Sequence, residues 1–317
     1  MHTIVIIGPG ALGCLLAGRL GAAGRDDVWL LDHDAERAAL LTRQGVRLTE
    51  AGQTSTILVR ATSDAGQIGP AELVLLCVKS YDVATSLAGA QPLFGPGTLL
   101  VSFQNGISHL DLLTALPGPG LRAVGVTAMG ATRTGPGEVT FGGAGLTRLG
   151  YQAPADQRAG QRLAQAAATL TAAGLQTEAV PDIMNHVWAK LLVNIGINAL
   201  TALHDCANGG LLDIPGARGQ LVAAVREAAA VALAKGITLP GDPVARTLEV
   251  CRSTATNISS MLQDIRRRRR TEIDAINGAV VQEARRLGLS APVNEDLARR
   301  VRELARRAPD RPVGNFP

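Results

Sequence analysis

Of the 31 basic side chains in this chain of 317 residues, only three are lysines, Lys79, Lys190 and Lys235. Arginine does not release a proton near neutral pH, whereas a partly buried lysine does, so the retained lysines mark places where a compact, deprotonatable ammonium is wanted. Lys190 stands in Trp188-Ala189-Lys190-Leu191-Leu192-Val193-Asn194-Ile195-Gly196-Ile197-Asn198. On a helix, Lys190, Asn194 and Asn198 drift only about 40° per step, and His186 extends the stripe by one turn. An ammonium and two amides on one face of an apolar helix each need a partner. A cleft that takes a polar ligand supplies one; the alternative is that Lys190 snorkels to solvent and the asparagines satisfy loop carbonyls.

Two further candidates follow strands. Lys79, in Val78-Lys79-Ser80-Tyr81-Asp82, and Asn105, in Phe103-Gln104-Asn105-Gly106, come after successive apolar runs. That is the carboxyl edge of an open α/β sheet, where ligands bind, although Asn-Gly is also a frequent turn pair. Lys235 precedes Gly236 at an expected helix end, where a cation complements the dipole. His186 has no carboxylate partner in sequence and reads as a surface or core residue.

The clearest motif is Gly8-Pro9-Gly10-Ala11-Leu12-Gly13, directly after the apolar run Ile4-Val5-Ile6-Ile7. The three glycines suit a tight turn, close approach to a pyrophosphate and close packing of helix on strand, with the helix N-terminus favouring the anion. An acid, Asp32, ends the next strand. It suits the hydroxyls of an unphosphorylated ribose and would repel a 2′-phosphate, while His33 and Arg37 stand near enough to offset that repulsion. Asp32 also qualifies as a cap for a helix from Ala35 onward.

These residues need a framework, and the pattern provides two. Up to about Leu149, apolar runs at 3–7, 28–31, 73–78, 98–102 and 123–127 alternate with amphipathic segments, which predicts an N-terminal Rossmann-type, doubly wound sheet. Residues 139–141 and 146–149 are expected to pair as a hairpin around Gly142, Gly143 and Gly145. Beyond Gly174 the period becomes helical, with expected helices at 183–204, 217–235, 244–261, 272–287 and 294–306. The fold class is α/β followed by an all-α C-terminal domain, with domains at 1–178 and 179–317.

Composition narrows the partners. A pI near 9.2 and net charge of +4 come with scattered arginines and only 3% aromatic residues, which disfavours nucleic acid and favours a small anion. Five consecutive arginines, Arg266 to Arg270, spread round more than a helical turn and read as a solvated surface. Four scattered cysteines suggest neither a metal site nor disulfides and suit a reducing cytoplasm. The longest apolar stretch, 191–203, is interrupted by asparagines, and the chain opens on a strand and a glycine loop rather than a leader, so no membrane association is expected.

Taken together, the glycine loop, Val78-Lys79-Ser80-Tyr81, Gln104-Asn105-Gly106, the segment from Trp188 to Asn198, Asn208-Gly209 and the segment from Ser259 to Asn277 resemble the ketopantoate reductases (2-dehydropantoate 2-reductases) over nearly the whole chain. The resemblance implies a catalytic lysine at Lys190, a supporting acid at Glu272, substrate contacts at Asn105, Asn194, Asn198 and Ser260, and Lys79 and Asn105 at the cofactor–substrate junction. It implies NAD(P)H bound by Gly8, Pro9, Gly10, Ala11, Leu12 and Gly13, with Asp32 and His33 where many members carry a basic residue for the 2′-phosphate of NADPH. The family thus points to NADPH and Asp32 to NADH. The implied reaction is reduction of 2-dehydropantoate to pantoate, feeding pantothenate and coenzyme A synthesis, without a metal. Two alternatives stay open: a related dehydrogenase of the D-mandelate type acting on another branched or aromatic 2-oxo acid, and a non-catalytic dinucleotide-binding redox sensor. A homodimer is compatible with the sequence.

Overall fold

The computed structural model describes residues 3–116, 118 and 120–307. The chain divides into two compact units, one running to Met184 without residues 105–108, the other made of Asn105–Ser108 and the chain from Asn185 onward. The observed division therefore lies six residues beyond the expected 178/179 boundary and assigns a short internal loop to the second unit.

The first unit begins with β1 (Ile4–Ile7), α1 (Ala11–Ala22), β2 (Val28–Leu31), α2 (Ala35–Gln44), β3 (Val46–Glu50), β4 (Gln53–Ile57) and β5 (Arg60–Thr62). It continues through β6 (Leu73–Leu76), α3 (Val83–Gly89), β7 (Leu99–Ser102), α4 (Leu110–Ala115) and β8 (Leu121–Thr127). It closes with β9 (Gly130–Gly135), β10 (Glu138–Gly143), β11 (Thr147–Gly150), α5 (Gln157–Ala172) and β12 (Thr177–Ala179). Eight strands form one sheet in the order β12-β11-β8-β7-β6-β1-β2-β5. From β8 to β5 every pairing is parallel, and β11 joins antiparallel to β8. The strands at its centre are apolar on both faces, Ile4 to Ile7 being at most 3% exposed, as a sheet covered on both sides requires. From β1 the chain builds towards β2 and β5, then crosses to β6, β7 and β8 on the other side. That reversal makes a crevice at the carboxyl ends of β1 and β6.

The expected hairpin of 139–141 with 146–149 does not form. Its two halves belong to different sheets: β10 pairs with β9 and β3 in a second, four-stranded sheet, whereas β11 pairs with β8 and β12. Separate partners bury Val139 and Leu149 almost completely, and the glycine-rich link carries the chain between sheets instead of turning it. The β3–β4 hairpin, turning at Ala51-Gly52, was not evident in sequence because β4 is polar and largely exposed.

The second unit is helical: α6 (Ile183–His204, its first two residues counted with the first unit), α7 (Ala217–Ala234), α8 (Pro243–Ser253), α9 (Ser260–Arg266), α10 (Asn277–Arg286) and α11 (Pro292–Arg307). By length and composition α6 could cross a membrane, but 67% of its apolar window is buried in the protein, as befits a core helix. Trp188, Leu191, Ile195 and Leu200 are its fully buried anchors. The single helix expected at 244–261 is two, α8 and α9, parted by the Ser-Thr-Ala-Thr-Asn run. There Thr254 bonds back to the Val250 carbonyl and receives the Asn208 amide, so side chains compete for the backbone's helical bonds. The helix expected from Glu272 starts at Asn277, leaving Glu272 in a buried turn. Glu227 of α7 accepts the backbone N–H groups of Val293 (2.9 Å) and Asn294 (3.0 Å), capping α11.

Candidate active site

In the first unit the dinucleotide-binding candidates begin where β1 gives way to α1. Gly8 has φ +95°, and a Cβ on Gly13 would lie 2.1 Å from the Gly8 carbonyl oxygen, so the chain's own packing demands glycine at both. Gly10 differs. A Cβ there would come no nearer than 3.9 Å to any other group, so protein packing leaves its backbone bare. Gly10 is also the N-cap of α1, with no side chain capping that helix, whereas Asp34 caps α2 and Asp156 caps α5. A helix start without a side-chain cap, behind a bare backbone, suits an anion such as a pyrophosphate.

Asp32, at the end of β2, has a fully buried carboxylate. Arg37 grips it through both Nε and Nη2, the Asp34 N–H donates to Oδ1 at 3.2 Å, and His33 Nδ1 lies 3.4 Å from the same oxygen. That hydrogen-bonded carboxylate holds the Arg37 guanidinium above its ordinary pKa. The cap of α2 is Asp34, not Asp32. Lys79 follows β6, half-buried, at the start of a short 3-10 turn. A residue that the sequence did not single out fixes this corner: Gln104, buried, donates through Nε2 to the Leu76 and Val78 carbonyls at 2.9 Å each and takes the Ser102 hydroxyl on Oε1. Val78 is in turn the side chain that a Cβ on Gly8 would strike, at 2.6 Å.

The second unit gathers the other candidates. Asn105 Nδ2 lies 3.4 Å from Glu272 Oε2, and the Ile107 N–H donates to the Ala275 carbonyl at 3.1 Å. Gly106, at φ +83°, sits so close to that turn that a Cβ would fall 2.0 Å from Ala275 O. Glu272 is 5% exposed, and its charge acts on Lys190. Burial pulls the Lys190 ammonium down to about 8, with the Glu272 carboxylate opposing the fall. Asn194 and Asn198 follow on the same face of α6, half-buried and buried respectively, and among the described residues neither amide has a hydrogen-bonding partner. Ser260, exposed, opens α9. Lys190, Glu272 and Asn105 are therefore brought together, and among the described residues Ser260 makes no direct bond to that cluster. Lys235 pairs with Glu283 at a helix end, away from this group in role.

Residues 4–154 match the family model of the ketopantoate reductases PanE/ApbA, and residues 182–305 match the model of that family's C-terminal part. The chain belongs to the ketopantoate reductase family. A 2-dehydropantoate 2-reductase of Halobacterium salinarum is 38% identical over 300 residues, covering 94% of this chain and 97% of the relative. Among solved structures, a ketopantoate reductase from Ralstonia eutropha superposes with TM-score 0.88 at 30% identity, over 96% of this chain and 99% of that one. A D-mandelate dehydrogenase solved with NADH and anilino(oxo)acetate superposes with TM-score 0.89 at 25% identity, over the same shares. The fold of ketopantoate reductases, a mixed α/β unit followed by a helical one, is thus the fold of this chain. Family membership also makes it an oxidoreductase whose relatives use a nicotinamide dinucleotide.

Proposed function

We propose that this protein reduces 2-dehydropantoate to pantoate, with Lys190 as the proton donor. The observation that carries this role is the half-buried Lys190 side chain, its ammonium held near a pKa of about 8 beside the Glu272 carboxylate and followed on α6 by two amides without a hydrogen-bonding partner among the described residues. A bound reduced nicotinamide supplies the hydride to the C2 carbonyl. Lys190 donates a hydrogen bond to that carbonyl oxygen and then its proton as the alkoxide develops. Asn194, Asn198 and Ser260 offer donors and acceptors to the polar ends of the 2-oxo acid, and Glu272, steadied by Asn105, accepts from its terminal hydroxyl. The bare backbone at Gly10 and the uncapped start of α1 support pyrophosphate binding by residues 8–13.

NADH is the proposed cofactor. A 2′-phosphate would have to draw Arg37 off a fully buried Asp32 and leave that carboxylate unpaired beside a dianion, a cost that two ribose hydroxyls avoid. The likeness to a D-mandelate dehydrogenase bound to NADH favours a second substrate class, aromatic 2-oxo acids. Steady-state oxidation of NADH and NADPH with 2-dehydropantoate and with an aromatic 2-oxo acid, for the parent and for Lys190→Ala, tests the whole proposal. Turnover of 2-dehydropantoate that collapses in the variant is expected. Turnover of only the aromatic acid would transfer the protein to the second class, and binding without any turnover would leave a dinucleotide sensor.

A further inference from the structure

The groups proposed to hold the oxo acid come from two helices, α6 and α9, whose register must be fixed. Thr201 follows Asn198 by three residues and is fully buried. Its Oγ1 lies 2.9 Å from the Ile197 carbonyl, 3.1 Å from the Asn198 carbonyl and 2.7 Å from Ser259 Oγ. Ser259 is the N-cap of α9 and accepts the Leu262 N–H at 3.2 Å; Ser260 is the first residue of that helix.

Each hydroxyl has one proton to give. If Thr201 gave its proton to Ser259, the proton of Ser259 would face no acceptor among these groups. The other order satisfies every donor: Leu262 N–H to Ser259 Oγ, Ser259 O–H to Thr201 Oγ1, and Thr201 O–H to the carbonyls of Ile197 and Asn198. A directed chain of hydrogen bonds then runs from the first turn of α9 to the backbone of Asn198 itself. The loop before Ser259 is tied independently, by the Asn208 N–H to Asn257 O and the Gly209 N–H to Ala255 O, each at 3.0 Å. The fold of this region thus has other supports, and the hydroxyl pair has the narrower task of alignment.

We infer that Thr201 is a positioning residue whose hydroxyl sets Ser260 in register with the amides of α6 and so determines the grip on the oxo acid. This rests on the proposed role of Ser260, Asn194 and Asn198 in holding that substrate. The test is steady-state kinetics of the full chain with 2-dehydropantoate and NADH for the parent, Thr201→Val and Thr201→Ser. Valine keeps the shape and leaves the Ser259 proton unmatched. The expected result is a KM for the oxo acid raised about tenfold in the valine variant, kcat and the KM for NADH within about twofold of the parent, and recovery in the serine variant. A role in stability alone would lower the Tm of the valine variant and leave its KM unmoved, which overturns the inference, as would a serine variant that behaves like valine. Should the valine variant not fold, Ser259→Ala removes the same bond from the α9 side, together with the cap on the Leu262 N–H, and leaves Thr201 its backbone acceptors, with a KM rise at least as large expected and an unchanged KM overturning the inference. A parent that binds NADH yet turns over no 2-dehydropantoate would sink the substrate assignment and this inference together. Parent turnover with an unchanged KM in the valine variant sinks the inference alone.

Discussion

Asn105 directs its side-chain amide at the Glu272 carboxylate across 3.4 Å, although 167 positions separate them in the chain. Glu272 in turn acts on Lys190 electrostatically, so a buried carboxylate links two half-buried polar groups from distant segments. An acid in such a place holds its neighbour's proton as well as any ligand.

Lys190 gives the sharpest kinetic signature. With its pKa near 8, the acid form required for carbonyl reduction is lost as pH rises through that value. The reductive kcat/KM is expected to level off below pH 7 and fall about tenfold per unit above pH 9, the oxidative direction showing the opposite trend. Lys190→Ala should lower kcat by about 10²–10⁴-fold and abolish that limb. A pH profile that keeps its limb in the variant would assign the ionisation elsewhere.

Replacing Glu272 by Gln removes the one charge that opposes the fall of the Lys190 pKa. The descending limb should therefore move to lower pH, and the KM for 2-dehydropantoate should rise. Stopped-flow or steady-state profiles of the variant check the direction, and a limb displaced upward would contradict the placement of the two groups.

The same ionisation bears on stability, and its sign is opposite to that of a salt-bridged lysine. Because the folded-state pKa is below the unfolded value of 10.5, the unfolded chain binds more protons between about pH 8 and 10.5. Burial of the ammonium thus costs stability fully below pH 8, and this cost is relieved as pH rises through that window. In urea melts at pH 7 and pH 9.5, the parent should gain relative to Lys190→Met as pH rises. A constant difference between the two would mean that Lys190 keeps its ordinary pKa.

Cofactor choice should turn on the Asp32–Arg37 pair. Asp32→Ser frees the guanidinium and removes the buried carboxylate, so the ratio of kcat/KM for NADPH over NADH is expected to rise at least about tenfold. No change in that ratio would show that the pair plays no part in discrimination.

Gly106 and Gly52 both adopt positive φ, +83° and +79°, but only Gly106 faces a wall. Gly52→Ala should cost about 1 kcal/mol from backbone strain alone. Gly106→Ala adds a collision with the Ala275 carbonyl, for a total of about 2–4 kcal/mol, and should also raise the KM for the oxo acid through the displaced Glu272 turn. Chemical denaturation of both variants compares the two effects directly.

The parallel sheet, the glycine loop and α6 were legible because their signals are local: continuous apolar strands, glycine spacing, a helical stripe of polar groups. The boundaries that sequence misplaced depend on partners far along the chain. Nothing near Glu272 announces that its carboxylate will meet Asn105, or that Ala275 will give its carbonyl to Ile107, so the residues before Asn277 read as helix. Likewise, the helix expected at 244–261 breaks where Asn208, 46 positions earlier than Thr254, supplies a competing bond. Asp32 was visible as an acid at a strand end, but its bidentate capture by Arg37 is a matter of rotamers that spacing alone does not encode.

The loop of residues 105–108 has a further consequence for how this gene product can be divided. A fragment expressed from Asn185 onward would omit the N–H that Ala275 accepts and the amide beside Glu272, though both belong to the compact body that such a fragment is meant to reproduce. Its acid-bearing turn would be exposed where the native chain covers it. The C-terminal half is consequently not a transplantable module: a designer who wishes to graft or swap it must carry four residues from the middle of the other half, and a recombination point placed near residue 184 would part the acid from its own support.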